Sequence, residues 1–316
     1  MNAAITLAII KLTLLAVFGF FLYRKAVIDE KSLTFLTTFL ISFAIPFLIF
    51  SRIVANRKLH SGFSPLLFLP ISLGIFVLGL VLGFLFSLKR NHDFKKEFIG
   101  LVSFQNALYL PMSLAFALFP AAVREEFLLY AFLYLIGFDV LMWSAGSFLI
   151  FKKEGDRYDV KTLFTPPIIS IAVSLFLVYT GSAKFIPSFL MDTVKMLGDT
   201  SFVFSMLVLG CFLAKISREG MWRKFLITAE ASILKLIVMP LVVLIFLAYF
   251  KIFSLLGMFI LMQAAMPSAS SLPIVAGLRG TDSSFVSQGV LSTHVLSIIT
   301  IPLWLSLYLK ISGFSW

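Results

Sequence analysis

The sequence predicts an all-α integral membrane protein of ten transmembrane helices, two of them broken near the middle of the bilayer. Three observations carry that expectation. The 316-residue chain is 60% hydrophobic and only 13% charged, with a mean hydropathy of +1.04, which is more apolar surface than a water-soluble domain can bury. Its apolar runs recur along the whole length and are long enough to cross about 30 Å of hydrocarbon. Two of those runs carry proline and polar side chains at their centres: Gln105–Pro111 (QNALYLP) and Met262–Gly277 (MQAAMPSASSLPIVAG). Pro267 and Pro273 lack a backbone N–H and clash with the preceding turn, so no continuous helix is expected there. Groups freed at membrane depth persist only where protein or a wet cavity receives them. Two broken spans in corresponding halves of a chain point to a transporter's binding site.

Span 1, Ala3–Tyr23, has no basic leader and is followed by Arg24 and Lys25, so it reads as a retained span with its N-terminus outside. Span 2 is Leu33–Ser51, kinked at Pro46. Span 3 is Phe63–Leu88, span 4 is Phe98–Phe119 with the first break, and span 5 is Phe127–Phe151. The polar connector KKEGDRYDVK covers Lys152–Lys161. Spans 6 to 10 follow as Leu163–Thr180, Leu190–Ala214, Phe225–Phe250, Ser254–Leu278 with the second break, and Ser283–Lys310. Lys and Arg gather in the loops after spans 1, 3, 5 and 7, which places those loops in the cytoplasm and both termini outside. The basic loop after span 2 (Arg52, Arg57, Lys58) and the nearly neutral loop after span 9 run against that trend. Five spans per half is an odd number, so a repeat must be inverted in the membrane. Residues 1–151 then form the first five-helix repeat, 152–161 a cytoplasmic connector and 162–316 the second repeat. Pro111 and Pro267 occupy corresponding spans, each with an amide upstream, Asn106 and Gln263.

Several function classes are excluded. The net charge of +11 sits in short clusters between apolar runs, the ordinary membrane pattern, and no stripe or module for nucleic acid accompanies it. Cys211 is the single cysteine, so no intramolecular disulfide or cysteine-based metal site is expected. His60, His92 and His294 are scattered, and there is no phosphate-binding glycine loop. No cofactor, metal or enzymatic centre is expected.

The residues at the breaks suit an anion. Where a helix resumes, its first N–H groups are unpaired and carry about half a positive charge; two such ends make a carboxylate site without arginine. Asn106 and Gln263 flank the breaks, and Ser268, Ser270 and Ser271 add hydroxyls that serve either a ligand or helix carbonyls and packing. Ionisable groups inside spans are expensive and face an interior: Lys11, Asp139, Asp199, Glu230 and Lys235. Lys235 lies about ten residues, roughly 15 Å, into span 8. It attracts an anion or neutralises Asp139 or Asp199, and either role offers proton coupling. Lys11 suits a structural pair, a lipid headgroup or a substrate; Asp199 alternatively caps a helix turn. His294 is either a proton-linked switch or a hydrogen-bonded packing group. Trp143, Trp222, Trp304 and Trp316 read as interface anchors near span ends.

Several stretches carry a family resemblance. SFQNALYLPMSL (Ser103–Leu114), LGDTSFVFSMLVLGCFLA (Leu197–Ala214), LKLIVMP (Leu234–Pro240), AAMPSA (Ala264–Ala269) and STHVLSIITIP (Ser292–Pro302) resemble spans 4, 7, 8, 9 and 10 of the auxin efflux carrier family. The resemblance covers essentially the whole chain. Tyr109 stands where the family often has a second asparagine, and Val203 where it often has proline. Met112 and Ser268 follow the crossover prolines Pro111 and Pro267, where plant auxin carriers have Asn and Gln, and the plant carriers' long cytoplasmic insertion is absent. These departures favour a bacterial-type carrier of organic anions such as malonate or malate. The resemblance implies two inverted repeats whose broken spans 4 and 9 cross at midplane. Spans 1, 2, 6 and 7 form a scaffold and homodimer surface, and spans 3–5 and 8–10 a moving, elevator-type transport unit. It also implies a plasma-membrane location, with coupling to the membrane potential, a proton or, as in bile-acid-type symporters, sodium. A reading from another class is an intramembrane aspartyl protease built on Asp139 and Asp199, although its sequence signatures are missing.

Overall fold

The computed structural model of the chain describes residues 2–55, 64–88, 94–142, 164–215, 221–273, 276 and 283–314. The connector 152–161, His60, His92, Arg57, Lys58, Trp143, Trp316 and the end of span 5 lie outside the described residues. Everything described is helix or short connection, with one isolated antiparallel bridge between Gln105 and Ser268.

Three of the described helices, starting after Asp29, Thr165 and Ser254, begin on a side chain that accepts a first-turn N–H. Helix α1 (Asn2–Arg24) closes with Arg24 in its last turn, suited to the negative end of the helix dipole. Ala26 then takes a left-handed φ of 54° to reverse the chain. Helix α2 (Glu30–Phe39) starts on Asp29, whose carboxylate accepts the Ser32 N–H at 2.8 Å. A five-residue π turn, Leu40–Ala44, leads into α3 (Ile45–Val54), which carries Pro46 in its first turn. The same device recurs later: α11 (Met221–Ile233) passes through the π turn Leu234–Val238 into α12 (Met239–Tyr249), with Pro240 in its first turn. A wide turn absorbs the steric demand of the proline ring and its missing donor. The Leu236 carbonyl, four residues before Pro240, is taken up by the Trp304 indole N–H at 2.7 Å.

Between these elements lie α4 (Phe68–Ser87), α5 (Lys95–Ser103), α6 (Tyr109–Leu118), α7 (Ala121–Leu141), α8 (Pro166–Tyr179), α9 (Ser188–Asp199) and α10 (Ser201–Lys215). Helices α13 (Leu255–Ala265) and α14 (Ser283–Ser312) complete the set. Helix α1 packs most extensively on α10, α3 on α8 and α9, and α4 on α5 and α7; α14 lies against α11 and α13.

Five helical stretches are long and apolar enough to cross a membrane: Glu30–Val54, Pro65–Ser87, Ser188–Ala214, Leu226–Tyr249 and Phe285–Ser312. Shorter apolar helices, including Tyr109–Leu118 and Leu255–Ala265, accompany them. Large apolar side chains such as Phe18, Phe21, Phe84, Phe246 and Leu303 face outward, the inverse of a water-soluble surface. This is a multi-pass, all-α membrane protein.

Three sequence expectations are corrected here. Arg52, expected in a loop, is a buried residue of α3. Helix α7 starts earlier than expected, so Arg124, Glu125 and Glu126 sit in its first turns. Trp304 is a core residue at 9% exposure rather than an interface anchor, because its N–H is needed by the carbonyl that Pro240 leaves unpaired.

Candidate functional site

Helix α5 stops at Ser103, where Phe104 turns extended (φ −103°, ψ 124°), and the chain resumes as helix only at Tyr109. Helix α13 stops at Ala265, and Met266 is likewise extended. The two interruptions run antiparallel. The Asn106 N–H donates to the Pro267 carbonyl at 2.7 Å and the Ala269 N–H to the Phe104 carbonyl at 3.0 Å.

A break inside a membrane is tolerable only if each freed backbone group finds a partner. At the end of α5, the Gly100 carbonyl accepts the Phe104 N–H at 3.1 Å, the Leu101 carbonyl accepts the Ser268 hydroxyl at 2.7 Å, and the Val102 carbonyl accepts the Lys235 ammonium at 3.0 Å. The Ala107 carbonyl accepts Gln263 Nε2 at 3.1 Å. Thus the carbonyls freed at the end of α5 and at Ala107 are satisfied, with Lys235 set against the negative end of α5. Lys235 is fully buried, and its polar contacts among the described residues are this carbonyl and the Met239 sulfur at 3.5 Å. The expectation that it neutralises Asp139 or Asp199 is corrected: both carboxylates are held elsewhere.

Asn106 joins the crossing to α14. Its Oδ1 accepts the Leu110 N–H at 3.2 Å, capping the first turn of α6, which orients Nδ2 as the donor toward His294 Nε2 at 3.3 Å. His294 Nδ1 lies 2.8 Å from the Val290 carbonyl. A carbonyl can only accept, so Nδ1 carries the proton and Nε2 accepts from Asn106. The Ser268 N–H also reaches α14, at Thr293 Oγ1, 3.2 Å away.

Beside the crossing lies a cavity of about 140 Å³ lined by Asn106, Tyr109, Asp139, Thr165, Ser270 and Ser271, with Ile41, Ile45, Leu135 and Phe138 as its apolar wall. Of the residues expected at the site, Asn106, Tyr109, Ser270 and Ser271 reach this cavity, and Asp139 joins them. Pro111, Met112, Gln263, Pro267 and Ser268 are buried in the crossing or its flanks, outside the lining. Gln105 and Thr165 belong to the lining but were not singled out in the sequence. Thr165-Pro166-Pro167 signals a helix start, and Thr165 does cap α8 by accepting the Ile168 N–H at 3.4 Å. Its hydroxyl also donates to Asp139 Oδ2 at 3.1 Å, a partner no local pattern reveals. Gln105 Nε2 donates to the Tyr134 hydroxyl. Among the described residues the backbone amides of Ala107, Leu108, Ser270 and Ser271, all in the lining, make no hydrogen bond.

Beyond His294 lies a second cavity of about 350 Å³ between α1, α6, α10 and α14, almost wholly apolar. Recognition of a polar solute needs convergent donors and acceptors, which the smaller cavity supplies and the larger does not.

Asp199 pairs with Arg52 Nη2 at 2.5 Å, and Nη1 of the same guanidinium pairs with Glu125 at 2.7 Å. Arg52 and Arg124 both lie over the Phe116 ring, 5.8 and 5.1 Å from its centre. Arg52 therefore ties α3 to α9 and α7, and Asp139 and Asp199 are engaged separately, by Thr165 and by Arg52, rather than in the shared carboxylate pair on which aspartyl proteolysis relies. Lys11 is exposed on α1 and makes no ion pair with the described residues. Arg52→Met should lower stability by about 1–3 kcal/mol, less than a fully buried pair because both acids are partly exposed. Thermal unfolding of Arg52→Met, Glu125→Gln and the double variant measures the coupling, and additive effects would show that the pair contributes nothing.

The sequence family described as membrane transport protein matches residues 4–161 and 157–305. The chain belongs to this family. It is 27% identical over 302 residues to an uncharacterized transporter of Methanocaldococcus jannaschii, covering 92% of this chain and 94% of that protein. It is 26% identical over 311 residues to an uncharacterized transporter of Methanothermobacter thermautotrophicus, covering 95% and 97%. These matches agree with the auxin efflux carrier motifs and make the chain a membrane transporter. Within this family member, Ser268 acts on the crossing itself. Ser268→Ala leaves the Leu101 carbonyl without its partner and should cost about 1–3 kcal/mol, read as a lowered Tm in detergent; an unchanged Tm would place the Ser268 hydroxyl outside the support of the break.

Proposed function

We propose that this membrane transport protein is a secondary carrier that moves a small organic anion, a carboxylate of the malonate or malate type or an auxin-like acid, across the plasma membrane by alternating access. One observation supports the reading above all: two broken helices cross and pair with each other, and four residues lining the cavity beside the crossing have backbone amides with no hydrogen-bond partner among the described residues. Backbone N–H groups at helix breaks are donors aimed at negative charge. Ala107 and Leu108 lead into α6, and Ser270 and Ser271 follow the second break. Asn106 and the serine hydroxyls then sort one carboxylate from another.

In this reading the ten spans form two inverted repeats with both termini outside. The α1–α3 and α8–α10 group is the scaffold and homodimer surface, and α4–α7 with α11–α14 is the unit that moves past it as an elevator. The packing of α1 on α10 and of α3 on α8 and α9 supports that division. So does the cavity's position, with Ile41 and Ile45 on the scaffold side and the crossing on the other.

Uptake of labelled malonate, malate, succinate and indole-acetate into proteoliposomes of the purified protein tests the proposal. Saturable uptake of at least one acid, inhibited by unlabelled acid, is expected. Absence of uptake of all four, from protein with a normal unfolding transition, would refute it.

A further inference from the structure

Asp139 sits in the cavity lining and forms no ion pair with a described residue. No Lys or Arg lines the cavity among the described residues, and the other titratable group there is the Tyr109 phenol. The remaining polar groups facing Asp139 are neutral: Asn106 on the crossing, Ser270 and Ser271 after the second break, and Thr165 at the start of α8. Lys235, the buried cation nearest in role, is committed to the Val102 carbonyl on another face of the crossing.

An anion entering a cavity of about 140 Å³ must lie within a few ångströms of that carboxyl. At about 5 Å and an effective dielectric near 20, two like charges disfavour joint occupancy by on the order of 100-fold. The amide donors favour the substrate and an ionised Asp139 opposes it. A proton on Asp139 removes the conflict and turns the carboxyl into a donor. Thr165 leaves room for this: its hydroxyl engages Oδ2, and Oδ1 accepts no hydrogen bond from a described residue.

Resting on the anion-carrier reading, we infer that Asp139 is the coupling residue of this transporter, binding one proton together with each anion. The proton comes from water on the side where the anion enters, adds to a carboxylate oxygen of Asp139, and returns to water on the opposite side when the anion leaves. The return journey is made with the site empty of substrate. A merely structural Asp139, holding Thr165 at the α8 cap, would move no proton.

The test uses the intact purified protein in liposomes loaded with the pH dye pyranine, with labelled malonate, malate, succinate and indole-acetate as probes, with and without sodium. In the wild type, the transported acid should acidify the lumen as it enters, and an inward proton gradient should raise its accumulation about tenfold or more. Asp139→Asn, a permanent mimic of the protonated group, should lose both acidification and gradient-driven accumulation, whatever anion-for-anion exchange it retains. Asp139→Glu should keep both, and it carries the test if Asp139→Asn does not fold, since it shifts the pH midpoint of accumulation only if residue 139 is the proton carrier. Anion uptake without acidification, accumulation that follows sodium instead, gradient-driven accumulation surviving in Asp139→Asn, or an unmoved midpoint in Asp139→Glu would each overturn the inference while leaving the carrier reading intact. Failure of the wild type to move any of the four acids would overturn the carrier reading, and this inference with it.

Discussion

Asn106→Ala is expected to cut flux of the transported acid by at least about tenfold in proteoliposomes. The side chain makes two bonds that nothing else replaces: Oδ1 caps the Leu110 N–H, and Nδ2 donates to His294 Nε2. Loss of a cap costs about 1 kcal/mol and loss of a buried partner about 1–3 kcal/mol. A change of 1.4 kcal/mol in the population of the ordered crossing is already tenfold. The backbone bond from the Asn106 N–H to Pro267 survives the substitution, so the protein should still fold. Asn106→Asp separates the two roles. It keeps the acceptor for Leu110 but offers His294 a second acceptor unless the imidazole protonates, so its activity should recover as pH falls, whereas Asn106→Ala should not. Full flux in Asn106→Ala would show that the amide is not part of the transport site.

Gly210→Leu should have the largest effect on stability, about 3 kcal/mol or more, above the usual range for overpacking. Helices α1 and α10 meet backbone to backbone. A side chain at Gly210 would overlap the Ala16 carbonyl, and one at Gly19 would overlap Leu207, so the two helices approach through a reciprocal pair of glycines. Small residues at helix contacts allow this close packing in lipid, where no hydrophobic effect drives helices together. Nothing soft is available to yield, because the obstructing atoms are main chain. Gly74→Ala provides the contrast: no atom lies within 4 Å of the added carbon, so the change should be neutral or slightly stabilising. Unfolding temperatures in one detergent compare the two directly. Equal, small shifts would mean that α1 and α10 do not meet backbone to backbone.

The two glycines show what a linear reading misses. Gly19 and Gly210 each look like an ordinary glycine in an apolar run, and only their mutual approach gives them a role. The same holds for Arg52, which reads as loop charge until α7 brings Glu125 and α9 brings Asp199 to its two amino groups. Trp304 is similar: the sequence marks an aromatic near a span end, while the carbonyl that needs it is created by Pro240 on another helix. By contrast, the interruptions at Phe104–Leu108 and after Ala265 were legible. The amide Asn106 was legible as well, because a polar group at membrane depth announces that it needs a partner.

The sequence alone determined that this chain is an all-α membrane protein whose helices break at two polar, proline-bearing stretches. Composition and backbone chemistry are local properties, and they register wherever a donor is missing or a polar group is buried in apolar surroundings. The tertiary structure alone decided which partners answer those needs: Ser268 for the Leu101 carbonyl, Lys235 for that of Val102, His294 for Asn106, Thr165 for Asp139. Each such pair joins residues far apart in the chain, and hydrogen-bond geometry, which fades within an ångström, is set only when the helices have packed.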